Sequence, residues 1–401
     1  MRNGDHVPAL VFGAGISALA VLRSLGRSGV PVFAAGAETT LIRRSRWYRP
    51  VPGDPELPDG LAEYLRTSDL PSAVLFGCTD DWAQTLAALP DDLAGRFPAV
   101  VAEPDVLGVF TDKEAFAEAA RMAGVATPRT QRVSGPDDLS ALSDQELVGA
   151  FLKPADSQRF SQRFGVKALS VRDRAHAAEL LGRLAEEQHV MLLQQYIPGP
   201  PTGHVFLDGY VDRAGVMRAC VARRRLRMHP ADFGNSTLSV TVPAEEAAGA
   251  ADSLRRLFRT LGYRGLFDAE FVYDQRDAQF KVIEVNVRPW WQLEILFACG
   301  VDVVPMAYRD ALGLPVDSIQ EYRVGCTWVH PLPDLRSWWA SRGRGPGGFP
   351  LRYWLRDANA VFSRDDPGPA VDELVRAVHL GTSAVRERVR RARPAPAVTH
   401  A

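Results

Sequence analysis

The chain has 401 residues, 46% of them hydrophobic and 24% charged, with a formal net charge of −1. That length accommodates two or three domains around separate cores, and the near-zero charge argues against a global role on nucleic acid or an acidic membrane surface. No apolar run reaches the roughly eighteen residues of a membrane span, and the N-terminus lacks the basic, apolar and small-residue succession of a secretory signal, so a cytoplasmic location is expected.

Val7 to Phe12 reads as a strand, Gly13 to Ala18 as a turn, Ala18 to Gly29 as a helix and Val30 to Ala34 as a second strand. The turn matches GxGxxA, the form of a dinucleotide site, but the acidic residue that would hold the ribose is out of place: Glu38 lies beyond Ala34-Ala35-Gly36-Ala37. Close packing of helix on sheet accounts for the small residues as well. Ala73 to Phe76 is a third strand, followed by Gly77-Cys78-Thr79-Asp80-Asp81 and a helix from Trp82. Thr79 or Asp80 either caps that helix or meets substrate at the carboxyl end of the strand. A strand from Ala99 to Ala102 closes this region near Phe110.

Thr111 to Pro128 reads as a capped helix with Gly124 near its end and Lys113 in its first turn. Ala150 to Leu152 lead an apolar strand into Lys153, whose conformations Pro154 restricts. The polar stretch from Asp156 to Lys167 follows; Arg159, Arg163 and Lys167 either supply charge to a ligand or belong to a solvated flap. Val190 to Pro198 is an apolar strand running into Tyr196-Ile197-Pro198-Gly199. His204 to Val211 and Val216 to Leu226 form a hairpin around Asp212 to Gly215, and strand alternation places Arg223, Arg225 and Arg227 on one side. Glu245 to Leu261 is a helix with Leu254, Leu257, Phe258 and Leu261 on its buried face.

The richest chemistry lies in Phe267 to Trp291, FDAEFVYDQRDAQFKVIEVNVRPWW. Phe267 to Tyr273 and Gln279 to Val287 read as two strands joined by a polar turn at Asp274 to Asp277. Glu284, Asn286 and Arg288 then point one way, and Glu270 faces them across the hairpin. Val282, Ile283, Val285 and Val287 mark a buried strand, in which carboxylates without partners would be costly. Two carboxylates and an amide oxygen suit Mg²⁺ that also holds phosphate, and a neighbouring guanidinium suits a transferring phosphoryl group. Trp290 and Trp291 either wall an acceptor pocket or pack in the core. Leu293 to Asp310 reads as a closing helix; Gly325 to Val329 is strand-like, Ala370 to Leu380 helical, and the Arg/Ala/Pro-rich stretch from 383 to 401 is expected to be disordered. Cys78, Cys220, Cys299 and Cys326 are widely spaced and read as buried small residues, not as disulfides or zinc ligands.

The hairpin resembles the metal-binding core of the ATP-grasp superfamily, in which an acidic residue on one strand is followed by Glu-x-Asn-x-Arg on the next. It is most similar to the carboxylate–amine ligase branch, with its D-aspartate-ligase-like and carbamoyl-phosphate-synthase-like members. The resemblance covers about residues 5 to 310 and keeps the order of lysine, linker and hairpin. It implies an α/β and α+β fold: a Rossmann-like domain over 1–109, two ATP-clasping lobes over 110–312, a C-terminal extension over 313–382 and a tail over 383–401. It implies ATP and Mg²⁺, with Mn²⁺ as a substitute, and Glu270, Glu284 and Asn286 as metal ligands. Lys113 and Lys153 would meet the phosphates. The linker residues Gln194, Gln195, Tyr196 and Ile197 would meet the adenine, chiefly through the backbone from Gln195 to Ile197. Arg288 would stabilise the phosphoryl group, and Arg225 or Arg227 would hold a carboxylate or γ-phosphate. The family's glycine-rich phosphate loop is missing here, because 156–167 carries a single glycine.

The implied reaction joins a small carboxylate to an amine, amino acids among them, through an acyl phosphate, with release of ADP and phosphate; a homodimer is the implied assembly. Alternatives are a bicarbonate-using carboxylase or carbamoyl-phosphate-type enzyme, an NAD-dependent oxidoreductase using Gly13 to Ala18, and an inactive nucleotide-binding module.

Overall fold

Short apolar segments with helices between them make parallel strands covered on both faces. The first four do so: β1 (Ala9–Phe12), β2 (Val32–Ala35), β3 (Val74–Gly77) and β4 (Ala99–Val100) form a parallel sheet of order β2-β1-β3-β4. Helix α1 (Gly15–Arg27) follows β1 and is buried from Ile16 to Leu25. Gly13 sits at φ +114, and a Cβ there would lie 3.3 Å from Cβ of Cys78, so the turn favours glycine both for its backbone conformation and for its close approach. Helix α2 (Asp80–Ala87) follows β3, with Thr79 as its cap: the Thr79 hydroxyl accepts from the amide of Trp82 at 3.3 Å. The computed structural model describes residues 6–35, 40–52, 60–154, 168–186, 190–230 and 234–375. Glu38, the 156–167 segment with Arg159, Arg163 and Lys167, and the tail from 383 lie outside the described residues.

The expected helix from Thr111 is α4 (Lys113–Met122), and a further helix, α3 (Pro104–Thr111), precedes it. Asp112 separates them because its carboxylate caps α4, accepting from the amides of Glu114 at 2.8 Å and Ala115 at 2.9 Å. An antiparallel sheet comes next: β5 (Thr130–Val133), β6 (Phe151–Pro154), β7 (Leu169–Ser170) and β8 (Met191–Gln194), in the order β5-β8-β6-β7. Helix α5 (Arg174–Glu186) covers it, and Val133, Leu152, Leu181 and Met191 share its core.

The third sheet has seven strands in the order β13-β12-β9-β10-β11-β14-β15. They are β9 (His204–Val211), β10 (Met217–His229), β11 (Asn235–Thr241), β12 (Gly265–Asp274), β13 (Gln279–Asn286), β14 (Thr327–Val329) and β15 (Ala358–Asn359). Helix α6 (Ala248–Leu261) packs Leu254, Leu257 and Phe258 under the β12–β13 hairpin. The expected single helix from Leu293 to Asp310 is broken into α7 (Glu294–Cys299) and α8 (Val303–Ala311), because Gly300 at φ +95 ends the first and Asp302 caps the second. Residues 327–359 extend the large sheet through β14 and β15, and α9 (Pro331–Ala340) lies against β10 and β11.

The chain's far end also returns to its beginning. Arg23 on α1 is fully buried, and its Nε donates to Asp366 at 3.0 Å. Arg27, one turn on, reaches Asp365 at 2.8 Å and Glu294 at 3.2 Å. Cys78, Cys299 and Cys326 are buried and Cys220 is half-buried; burial pushes the thiols of Cys78, Cys220 and Cys299 up to about 12. Among the described residues no helix is long and apolar enough to cross a membrane.

Candidate functional site

The β12–β13 register sets Glu270 directly opposite Glu284 and Asp268 directly opposite Asn286. Opposed residues of an antiparallel pair share a face, so the hairpin presents both glutamates and the asparagine together. Glu284 is exposed, and Asn286 and Glu270 are half-buried. Glu270 is compensated: its Oε1 lies 2.7 Å from Nδ1 of His204 and 2.9 Å from the guanidinium of Arg225. Burial by itself would raise this carboxyl. Arg225, His204 and the more distant Lys153 outweigh burial and hold it at about 2, so it is ionised across the physiological range.

Further charged groups lie alongside on the same face. Asn286 donates its amide N–H to Oδ2 of Asp268 at 3.0 Å, which turns its carbonyl oxygen away from that contact. The other oxygen of Asp268 accepts from Arg223 at 2.7 Å, and Arg223 reaches Asp208 at 2.6 Å. Arg223 also stacks 3.9 Å above the ring of Phe206. Burial pushes the Asp208 carboxyl well up, against the pull of Arg223 and with the repulsion of Asp268. Among the described residues no three His, Cys, Asp or Glu gather into a metal site by themselves. The donor set is two carboxylates plus one amide oxygen, hard oxygens that fit Mg²⁺ sharing its remaining positions with phosphate and water.

The lysine-bearing sheet faces this hairpin. Lys113, the first residue of α4, donates its ammonium to the carbonyl of Pro154, next to Lys153 on β6. Lys153 lies within electrostatic reach of Glu270. The amide of Val282 on β13 donates to the carbonyl of Ala126 at 2.9 Å, which ties the hairpin to the segment leading into the lysine sheet. In the linker, the Gln194 side chain donates to Thr130 at 3.0 Å, and the Gln195 amide donates to Arg129 at 2.8 Å. The Gln195 N–H is therefore engaged within the protein. The Ile197 N–H makes no hydrogen bond among the described residues, Ile197 itself is buried and Tyr196 is exposed.

The three arginines of β10 do not act together. Register shifts fall between Arg225 and Arg227 and again between Arg227 and Met228, a bulge that re-aims the side chains. Arg223 and Arg225 both lie over Phe206, and Arg225 also donates to Ser236 at 2.8 Å. Arg227 turns instead to Asp334 on α9, at 2.8 and 2.5 Å, and to the carbonyls of Pro346 and Gly348. The tryptophans also divide. Trp290 is 2% exposed and packs in the core, and its Nε1 meets no acceptor among the described residues. Trp291 is 39% exposed and meets His330 edge-on, ring centres 5.9 Å apart; burial lowers His330 to about 4.

Arg288 is held across the molecule. Its Nε and Nη2 grip the two oxygens of Asp80 at 2.6 and 3.1 Å. Sequence reasoning did not single out His204, Asp208, Asp268 or Asp334. A signal for two of them was available: Asp208 and Asp268 are carboxylates inside apolar strands, and each needed a cation from elsewhere in the sheet.

No family model matches the chain. It is 25% identical over 225 residues to a D-aspartate ligase of Enterococcus faecium, a match that covers 54% of this chain and 53% of that protein. The chain thus spans about half the length of the curated relative it matches. Among solved structures it is similar to the N5-carboxyaminoimidazole synthetase of Staphylococcus aureus, with a TM-score of 0.59 and 14% identity over 79% of this chain and 80% of the other. It is also similar to the biotin carboxylase domain of Hydrogenobacter thermophilus 2-oxoglutarate carboxylase, solved with MgADP, ADP and bicarbonate, at a TM-score of 0.62 and 14% identity over 80% of this chain and 74% of the other. A third is the L-amino acid ligase of Bacillus licheniformis, at a TM-score of 0.57 and 14% identity over 76% and 74% of the two chains. The chain thus shares the fold of solved structures that, like the D-aspartate ligase, belong to the ATP-grasp superfamily.

Proposed function

We propose that the protein is an ATP-dependent carboxylate–amine ligase that forms an amide and releases ADP and phosphate. The observation that carries this is the hairpin: Glu270 registered against Glu284, with Asn286 and Arg288 beyond, facing the sheet that bears Lys153. In this reading Glu270, Glu284 and Asn286 hold Mg²⁺, which when bound offsets phosphate charge. Lys113 and Lys153 hold ATP phosphates, and the linker from Gln194 to Ile197 meets the adenine. The substrate carboxylate attacks the γ-phosphorus and ADP leaves. The amine then attacks the acyl carbon, phosphate leaves, and the nitrogen gives up a proton. Arg288 stabilises the phosphoryl oxygens and the developing oxyanion. Arg225, beside Glu270, is placed to hold the carboxylate; Arg227, engaged by Asp334, is the weaker choice.

The relatives named as D-aspartate ligase and L-amino acid ligase support amino acids among the substrates. The bicarbonate bound in the H. thermophilus structure supports a second reading, in which bicarbonate is the carboxylate that attacks the γ-phosphorus. The accompanying domain division is 1–109, 110–312 and 313–382, and a homodimer is the expected assembly, as in the H. thermophilus domain dimer.

The test is ADP release over amino acids and small carboxylic acids in pairs, with and without bicarbonate, and with product mass measured. An amide product is expected. Release that depends on bicarbonate alone would favour the second reading, and no release from any pair would reject both. Glu284→Gln should lower Mg²⁺-dependent ADP formation by more than about 100-fold while the protein stays folded, because even outer partners of a metal ligand are worth about 10–100-fold.

A further inference from the structure

We propose that Asp80 is a positioning residue for Arg288. Its carboxylate sets the guanidinium plane at the phosphoryl site and joins the N-terminal sheet to the chemistry. This rests on the ligase reading of Arg288 given above.

The contact is a fork-to-fork pair, 2.6 Å from Nε to Oδ1 and 3.1 Å from Nη2 to Oδ2, between residues 208 positions apart. Such pairing fixes orientation as well as distance. Arg288 Nη1 donates to the carbonyl of Pro289 at 3.2 Å, so the plane is held on two sides and the remaining N–H groups are left for a ligand.

Helix capping does not account for Asp80. Thr79 is the cap, and Asp80 is the first residue of α2, with its carboxylate turned to Arg288 instead. The position of α2 is tightly built. A Cβ on Gly77 would lie 3.0 Å from the amide nitrogen of Ala83 and 3.0 Å from the carbonyl carbon of Trp82, so this glycine lets the strand end press against the helix start. Phe12 stacks on Trp82 with ring centres 4.6 Å apart and anchors the same turn from the neighbouring strand. Asp80 is thus carried on a rigid element, as a positioning group needs to be.

Stability does not account for the pair either. The Asp80 side chain is half exposed and that of Arg288 one-fifth exposed, so solvent reaches the pair and its part in folding is modest. The surroundings give the pairing a use. Glu284 and Asp268 also act on the Arg288 charge. Without Asp80 the guanidinium would be drawn toward Glu284, a metal ligand in the present reading, and away from the place where the phosphoryl group must sit.

The test is a double-mutant cycle on the full chain, using the substrate pair found by ADP release. Asp80→Ala is expected to lower kcat by about 10–100-fold, the range for outer partners of a catalytic centre, with the KM for ATP and the thermal midpoint unchanged. Asp80→Glu should recover part of that loss. In an Arg288→Ala background, Asp80→Ala should cost nothing further. Equal losses in both backgrounds would overturn the proposal. So would a higher KM for the amine with kcat intact, which would make Asp80 a substrate contact, and so would a rise in kcat, which would make it a restraint. Should Asp80→Ala not fold, Asp80→Asn carries the same cycle. Wild-type turnover without coupling sinks this proposal alone; a wild-type protein that releases no ADP from any pair sinks it together with the ligase reading.

Discussion

Arg23 and Arg223 are both fully buried guanidiniums, yet their networks end differently. Arg23 donates to Asp366 and to the carbonyls of Val361 and Asp366, and the second oxygen of Asp366 accepts the amide of Arg46 at 2.8 Å. That network straps residues 361–366 to α1, with the Arg23 Nη1 left 3.7 Å from Glu294. Arg223 meets Asp208 and Asp268, and Asp268 passes the order on to Asn286 at the hairpin surface beside the exposed Glu284. This second network ends at Asn286 beside Glu284, which makes no ion pair among the described residues. Buried charge is costly unless its partners are complete. The first network ties two parts of the fold together, and the second leads out to the hairpin residues proposed to hold the metal.

The contrast can be broken from either end. The largest effect is expected in the strap. Asp366→Ala leaves Arg23 buried without its main partner and should cost about 3–5 kcal/mol, read from urea unfolding. The folded fraction should keep its turnover; a fall in kcat would show that the strap is not separate from the site.

A half-buried titratable group outside both networks sharpens the point. His330 has no carboxylate partner among the described residues, and burial lowers it to about 4. Its pKa in the folded protein lies below its unfolded value near 6.5, so between those pH values the unfolded chain binds more protons. Stability should be full above about 6.5 and fall as the pH drops toward 4, by about 3 kcal/mol in all. His330→Asn should flatten that limb. An unchanged pH profile in the variant would place the lost stability elsewhere.

The smallest effect is expected in the second network. Asp268→Asn weakens the hold on Asn286 and should raise the Mg²⁺ concentration needed for half-maximal ATP binding by about 10–100-fold. Asp366→Ala should leave that concentration alone. Equal shifts in the two variants would erase the distinction between the networks.

Local pattern carried much of the fold. Turn residues between alternating strands located the β12–β13 hairpin and its facing glutamates, and the small residues at Gly13 to Ala18 located the βαβ start. What escaped was set by single residues with competing roles. Pro104 opens a short helix ahead of Asp112, whose capping carboxylate starts the expected one at Lys113. Gly300 sits inside a helical pattern, where its left-handed backbone ends the turn. The β10 bulge shifts the register between Arg225 and Arg227 and has no mark in an alternating run. Partners distant in sequence were illegible for a different reason. Asp80 and Arg288 are 208 residues apart, and Arg227 and Asp334 are 107 apart, so only the packing of whole sheets brings them together.

The most direct measurement is equilibrium binding of ATP as a function of Mg²⁺, in the wild type and in Glu284→Gln. Binding should tighten with Mg²⁺ in the wild type and lose that dependence in the variant, with both proteins melting at the same temperature. The same Mg²⁺ dependence in the two proteins, or no ATP binding in either, would contradict the account.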